Sequence, residues 1–233
     1  KAIDPFTEIH KVASFEINHI KLLEFLASTK KPILVSTGSS NYDEIDFCVS
    51  FLKEHNSGQI ILLQCTSKYP CSISSLNLSV IPKMKSKYDL PVGFSDHSVD
   101  PIIAPLTSIG LGATVIEKHF TLDKNLPGPD HFFALTPNEL KQMIDSIRNT
   151  ELAYGTGKKE VLEEEVKTRK FAKRSLQAIV DISKGDILEL GINFDILRPG
   201  DRLRGLEARF VTDIIGKKSK LDVAKGDGVN EFE

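Results

Sequence analysis

VGFSDHSVDPIIAPLTSIGLGATVIEKHF, residues 92–120, decides how the chain folds. Its two ends, VGFSD and TVIEKHF, are short apolar runs whose polar residues gather at the C-terminal side, the pattern of parallel strands buried on both faces. The interval between them reads as a helix. His97 and His119 stand 22 residues apart, about the length of one helix plus one strand in an α/β repeat. Both imidazoles therefore leave the sheet at the same edge and can meet across neighbouring strand ends, where a divalent metal could be held. Two ligands do not define a metal site, and each histidine taken singly also reads as a polar strand cap bonded to backbone.

Outward from that stretch, residues 10–150 alternate strand and helix. Strands are expected at 10–14 (HKVAS), 32–37 (PILVST), 60–66 (IILLQCT), 92–96 and 114–120. Helices are expected over 18–30, 41–55 with Asn41 as N-cap, 73–87, 100–111, and 137–151 with Pro137 in its first turn. Such alternation implies right-handed crossovers and a parallel sheet. Polar residues recur at the strand C-termini: Lys11 and Ser14, Ser36 and Thr37, Thr66 and Ser67, Ser95 and His97, Glu117 and His119. A (β/α) barrel places its chemistry there. One such serine or threonine is an ordinary strand-end or cap residue; five in succession point to a shared site.

Composition narrows the classes. A net charge of −2 carries no basic excess for nucleic acid or an anionic membrane surface. No apolar run reaches the roughly 18 to 20 residues of a spanning helix. Hydrophobic residues make up 40% of the chain, enough for a substantial core. Cys48, Cys65 and Cys71 are odd in number and scattered over a helix, a strand and a loop. That usage reads as reduced and cytoplasmic, not as a disulfide framework. The first residue is Lys1, and an upstream segment is expected. Residues 155–170, GTGKKEVLEEEVKTRK, are highly charged and read as a linker or a solvated helix. Beyond them DISKGD (181–186) recurs as DVAKGD (222–227), predicting two equivalent tight turns in a small pseudo-symmetric β domain.

KVASFE, ILVSTG, QCTSKYP, VGFSDHS, VIEKHFTLDKNLPGPDH and the late ILRPG, in that order, resemble the sialic acid synthase family, phosphoenolpyruvate-dependent synthases of nine-carbon keto-sugar acids. The resemblance covers the chain from about residue 8 onward. It implies an α/β chain built as a TIM (β/α)8 barrel followed by a small β-clip domain of the antifreeze-like (SAF) type, in a domain-swapped homodimer. The strands present then correspond to barrel strands four to eight. The domains implied are a partial barrel over 1–155, a linker over 156–170 and the SAF domain over 171–233. Such a remnant exposes two sheet edges, which is an aggregation hazard, and a fragment is the expectation.

The resemblance also assigns roles. His97 and His119 match the metal ligands, normally for manganese, with magnesium or cobalt as alternatives. Lys11, Ser14, Ser36, Ser67 and Ser95 match positions that bind phosphoenolpyruvate, Ser67 standing where many relatives have asparagine. A lysine gives a trianionic substrate a fixed positive charge, and hydroxyls give donors with little bulk. Glu16 and Glu117 match strand-end glutamates that could orient water or stabilise an oxocarbenium-like transition state; either could equally be a structural partner of Lys11 or Lys118. Tyr69 and Asp130 match contacts to an N-acylated hexosamine, N-acetylmannosamine or a 6-deoxy di-N-acetyl analogue. Arg198 in LRPG matches the arginine that the C-terminal domain offers to the sugar's acyl group in the partner subunit, where a planar donor suits a carbonyl. His131 reads equally as a satisfied loop histidine. GPDH leans toward the neuraminate and legionaminate branches over the pseudaminate one. Two other classes stay open: a catalytically incomplete remnant that binds sugar or a partner, and a metal-dependent aldolase of another family on the same barrel.

Overall fold

Side chains alternate across a strand, so each of the five N-terminal strands sends one set of residues toward the helices and the other set toward the opposite face. The computed structural model describes residues 1–233, in which β1 (His10–Val12), β2 (Ile33–Ser36), β3 (Ile60–Cys65), β4 (Val92–Asp96) and β5 (Ile116–Lys118) form one parallel sheet in sequential order. Val12, Ile33, Val35, Ile60, Leu62, Val92 and Phe94 are buried on the helix-covered face. Against them pack α1 (Ile20–Thr29), α2 (Tyr42–Glu54) and α3 (Val80–Tyr88) through Leu23, Leu26, Cys48, Leu52, Ile81 and Met84. Each such side chain stabilises the fold by about 1.5–3 kcal/mol relative to exposure. A second cluster joins α4 (Ile103–Gly110) to α5 (Pro137–Tyr154) around Leu135, Met143 and Ile147.

The opposite face is concave. Laid flat, β1 and β5 would lie about 19 Å apart at about 4.8 Å per strand, farther than a lysine and a glutamate span together. Lys11 Nζ nevertheless lies 3.4 Å from Glu117 Oε2. The sheet therefore curls into a half-barrel.

Local chemistry sets the element ends. Asn41 and Glu44 form a reciprocal capping box on α2, and Thr136 and Glu139 do the same on α5 with Pro137 at its start. The helix expected over 73–87 is two pieces, a 3-10 turn at Ile73–Ser75 and then α3. Serine and asparagine compete locally for backbone groups here. Ser72 Oγ bonds Ser75 Oγ, Thr66 Oγ1 donates to the Ser75 carbonyl, Gln64 Nε2 donates to the Leu76 carbonyl, and Asn77 is left-handed at φ +48°. The helix expected from 100 starts at Ile103, because Asp100 Oδ1 accepts from the Ile102 and Ile103 amides and caps it. The strand expected over 114–120 shortens to β5, and Phe120 forms an isolated parallel bridge with Leu135. No helix is long and apolar enough to cross a membrane.

The chain divides into units at Lys1–Gly157 and Lys158–Glu233. The charged run over 156–170, read as a linker or a solvated helix, contains a helix, α6 (Glu163–Ala172), which falls in the second unit. Glu163, Glu164 and Glu165 in its first turn and Arg169 and Lys170 in its last complement the helix dipole. Arg169 and Lys173 pair with Glu207 at 3.6 and 3.7 Å. Antiparallel β6 (Ser175–Ala178) and β7 (Phe194–Leu197) and the short α7 (Val211–Ile214) surround a core of Leu176, Ile182, Leu188, Phe194, Ile214 and Val229. The twin turns are present and mutually tied. Ile182 and Val223 exchange backbone bonds, Asp222 accepts from the Lys184 amide at 2.7 Å, and Asp181 accepts from the Lys225 amide at 2.7 Å. Gly185 and Gly226 take the left-handed φ values of +93° and +89° that the turns require.

Candidate functional site

Strand register sets the site. Cys65, Ser95 and Glu117 lie side by side on β3, β4 and β5. Side-chain alternation then puts His97 on the face of Ser95 and His119 on the face of Glu117. Their neighbours Asp96 and Lys118 point to the helix side, where they form a buried ion pair of 2.6 Å. Lys118 Nζ also donates to the Ser98 and Asp100 carbonyls. It is therefore a partner of Asp96 and not of Glu117.

On the concave side Glu117 accepts from Ser95 Oγ at 2.6 Å and pairs with Lys11. Ser14 Oγ accepts from the Gly38 amide at 3.1 Å and donates to Cys65 Sγ at 3.6 Å. Ser36 Oγ and Ser67 Oγ are buried and have no hydrogen-bond partner. Cys65 Sγ in turn lies 3.8 Å from His97 Nδ1.

The two imidazoles come together, their centroids 5.3 Å apart and their planes at 66°. His97 Nδ1 lies 3.0 Å from the Thr66 carbonyl, which can only accept, so that nitrogen carries the proton. Asp130 Oδ2 lies 3.7 Å from His119 Nδ1. The Tyr69 ring packs 4.1 Å from that of His97, and Phe133 packs 4.9 Å from that of His119. Burial holds His119 below the usual imidazole value, and the charge of His97 adds to the effect. Burial also pushes the Cys65 thiol up, but hydrogen bonds to His97 and Ser14 outweigh it and leave the thiol lowered. Burial pushes His97 down, whereas the Cys65 bond and the Thr66 carbonyl leave it raised.

Lys11, Ser14, Ser36, Ser67, Ser95 and Glu117 thus share the strand ends with the His97, His119, Tyr69 and Asp130 group. Glu16 is half-buried on the 3-10 turn Ser14–Glu16 and takes no part in the Lys11–Glu117 pair. Arg198 is an exposed residue just after β7 in the second unit. His131 is satisfied within its loop, 2.7 Å from Thr121 Oγ1. Sequence reasoning assigned no site role to Cys65, Gly38 or Phe133. The signal for Cys65 was its register beside Ser95, which becomes visible only once strand pairing is known.

A protein-family model, NeuB, matches residues 2–159. Across all 233 residues the chain is 40% identical to a pseudaminic acid synthase of Campylobacter jejuni (strain 81-176), covering 66% of that protein. It is 35% identical to an N,N'-diacetyllegionaminic acid synthase of Legionella pneumophila, over 93% of this chain and 60% of that one. A crystal structure of an N-acetylneuraminic acid synthetase from Leptospira borgpetersenii superposes with a TM-score of 0.64 at 38% identity, covering 70% of this chain and 57% of that one. The chain therefore spans less than two thirds of the length of these relatives.

Proposed function

The chain belongs to the NeuB family, and on that premise we propose that it takes part in joining phosphoenolpyruvate to an N-acylated hexosamine, giving a nine-carbon sugar acid and phosphate. The observation that carries this reading is the pair of partnerless buried hydroxyls, Ser36 and Ser67. A buried unsatisfied hydroxyl costs about 1–3 kcal/mol, which an anionic oxygen accepting from it would offset. Lys11 adds a cation on the same concave face. A phosphate or carboxylate suits that set, and phosphoenolpyruvate carries both.

Glu117, held by Ser95 and Lys11, is the carboxylate placed to orient water at C2 or to offset positive charge developing there. Glu16 is the second candidate. Tyr69 and Asp130 line the side of the two histidines and would meet the amino sugar.

The histidine pair fits a divalent cation in one respect above all. Histidines that hold metals donate their second ring N–H to a carbonyl or carboxylate, and His97 does so to Thr66, leaving Nε2 free. No group of three or more His, Cys, Asp and Glu side chains is arranged to hold a metal, so oxygen donors from water and substrate would be needed beside the two imidazoles. Manganese, or magnesium or cobalt, held by His97 and His119 would polarise the aldehyde oxygen of the sugar.

The same reading extends the half-barrel to a TIM barrel and makes the second unit an SAF domain in a domain-swapped homodimer, with Arg198 directed to the sugar's acyl group in the partner subunit. Identities of 40% and 35% to pseudaminic and legionaminic acid synthases lend no weight to the legionaminate preference suggested by GPDH.

Phosphate release with manganese, phosphoenolpyruvate and a panel of acylated hexosamines tests the reading. Release that requires both substrates is expected, and Arg198→Ala should raise the KM for the sugar well above its effect on phosphoenolpyruvate. Binding of phosphoenolpyruvate without release would favour the remnant reading. Turnover without phosphoenolpyruvate would favour the aldolase.

A further inference from the structure

We propose that Gly38 is a positioning residue whose missing side chain lets the hydroxyls of Ser14 and Ser67 converge on one anion, an inference that rests on the phosphoenolpyruvate reading above. Gly38 follows β2, two residues beyond Ser36. Its backbone is outside the left-handed region, so conformational freedom does not explain a glycine here. Space does. A β-carbon at residue 38 would lie 2.2 Å from Ser67 Oγ, 2.8 Å from Ser14 Oγ and 2.9 Å from Cys65 Sγ.

The identity of those atoms separates Gly38 from the other crowded glycines of ordinary backbone. At Gly58, Gly93, Gly205 and Gly228 the added carbon would meet backbone: the Lys31 carbonyl at 2.3 Å, the Val115 carbonyl at 2.5 Å, the Leu176 carbonyl at 1.9 Å and the Gly205 nitrogen at 1.9 Å. Those four are glycines because chains pass too close together. At Gly38 the three nearest atoms are all ends of short side chains of the candidate site, which rotation about χ1 would move without moving the chain. A methyl group there leaves the chain path intact and turns the hydroxyls away. Ser67 moves first, since its oxygen is nearest and has no hydrogen bond to hold it. Ser14 keeps some anchorage because its oxygen accepts from the Gly38 amide. The cost of a side chain at 38 therefore falls on anion binding more than on folding.

Calorimetric titration of phosphoenolpyruvate into the 233-residue chain, with melting temperatures in parallel, tests this on Gly38→Ala, Ser67→Ala and the double variant. Ser67→Ala is expected to weaken binding about tenfold, the loss of one hydrogen bond to a charged group. Gly38→Ala is expected to weaken it by more than about tenfold while melting within about 5 °C of wild type. The double variant should melt no lower than Gly38→Ala, because the nearest obstruction is gone. Wild-type affinity in Gly38→Ala, with weakened binding in Ser67→Ala, overturns the inference and leaves the functional reading standing. If wild type shows no affinity for phosphoenolpyruvate, the functional reading fails, and the melting temperatures still decide the steric coupling: additive losses overturn it, recovery in the double variant supports it. Should Gly38→Ala fail to fold, a folded double variant supports the inference and an unfolded one overturns it.

Discussion

Two ion pairs sit side by side on β5 and face opposite ways. Lys118 with Asp96 points to the helices, 2.6 Å apart with side chains 3% and 0% exposed. Glu117 with Lys11 points into the concavity, 3.4 Å apart with side chains 40% and 32% exposed. The first pair is desolvated and tied into backbone carbonyls, so neither partner can leave without stranding a charge. The second is wet, looser and worth little to stability, so a ligand can divide it. One strand thus supplies a fixed anchor and a movable charge from adjacent residues. Burial holds Lys118 below the usual lysine value, with Asp96 opposing the shift, as expected of a cation kept by one close partner.

Removing the anchor gives the largest expected effect. Lys118→Met should cost about 3–5 kcal/mol in urea unfolding, because Asp96 would remain buried and unpaired. A loss below about 1 kcal/mol would erase the contrast between the pairs.

The next effect tests whether other charges outside the concavity also serve the fold. Glu139 caps α5, and hydrogen bonds from Lys124 and from the Thr136 amide hold its carboxyl down at about 2 against the usual 4.5. Its contribution is complete above pH 4.5 and is lost as the pH falls toward 2, because the unfolded chain takes up the proton first. For a cap that is about one third exposed, Glu139→Gln should cost about 1 kcal/mol near neutral pH. That difference from wild type should close between pH 4.5 and 2 in acid-unfolding curves, and a constant difference would contradict the assignment.

The smallest stability effect belongs to the movable charge. Lys11→Met should change unfolding free energy by less than about 1 kcal/mol. Phosphoenolpyruvate binding should nevertheless fall by more than about tenfold. A large loss of stability with unchanged binding would make the inner pair a second anchor.

Much of this division was legible in the sequence. Period-two alternation in VGFSDH and VIEKHF already sorts Ser95, His97, Glu117 and His119 from Asp96 and Lys118. Asn41 and Pro137 announce their helices by capping chemistry. Three features were not legible, each for its own reason. The break between Ile73 and Val80 depends on Gln64 and Thr66 reaching over from β3 and its end to capture backbone carbonyls, a contact that no local window contains. The partner of Glu117 depends on the curl that brings β1 to β5, a property of the whole sheet. Helix α6 lacks an apolar stripe, and pairs to Glu207, far along the chain, hold it. The charge run therefore read as either a linker or a solvated helix, with nothing local to choose between them.

The reciprocal capping of the twin turns bears on how the second unit is made. Asp181 closes the turn at Lys225, and Asp222 closes the turn at Lys184, so neither is complete until both have been synthesised. Closure waits for a contact some forty residues distant in sequence, which favours slow, late acquisition of structure over piecemeal growth from the N-terminal side. A nascent chain stalled before Asp222 would hold an open clasp, and trimming the last dozen residues would also strip the turn near residue 184 of its distant acceptor.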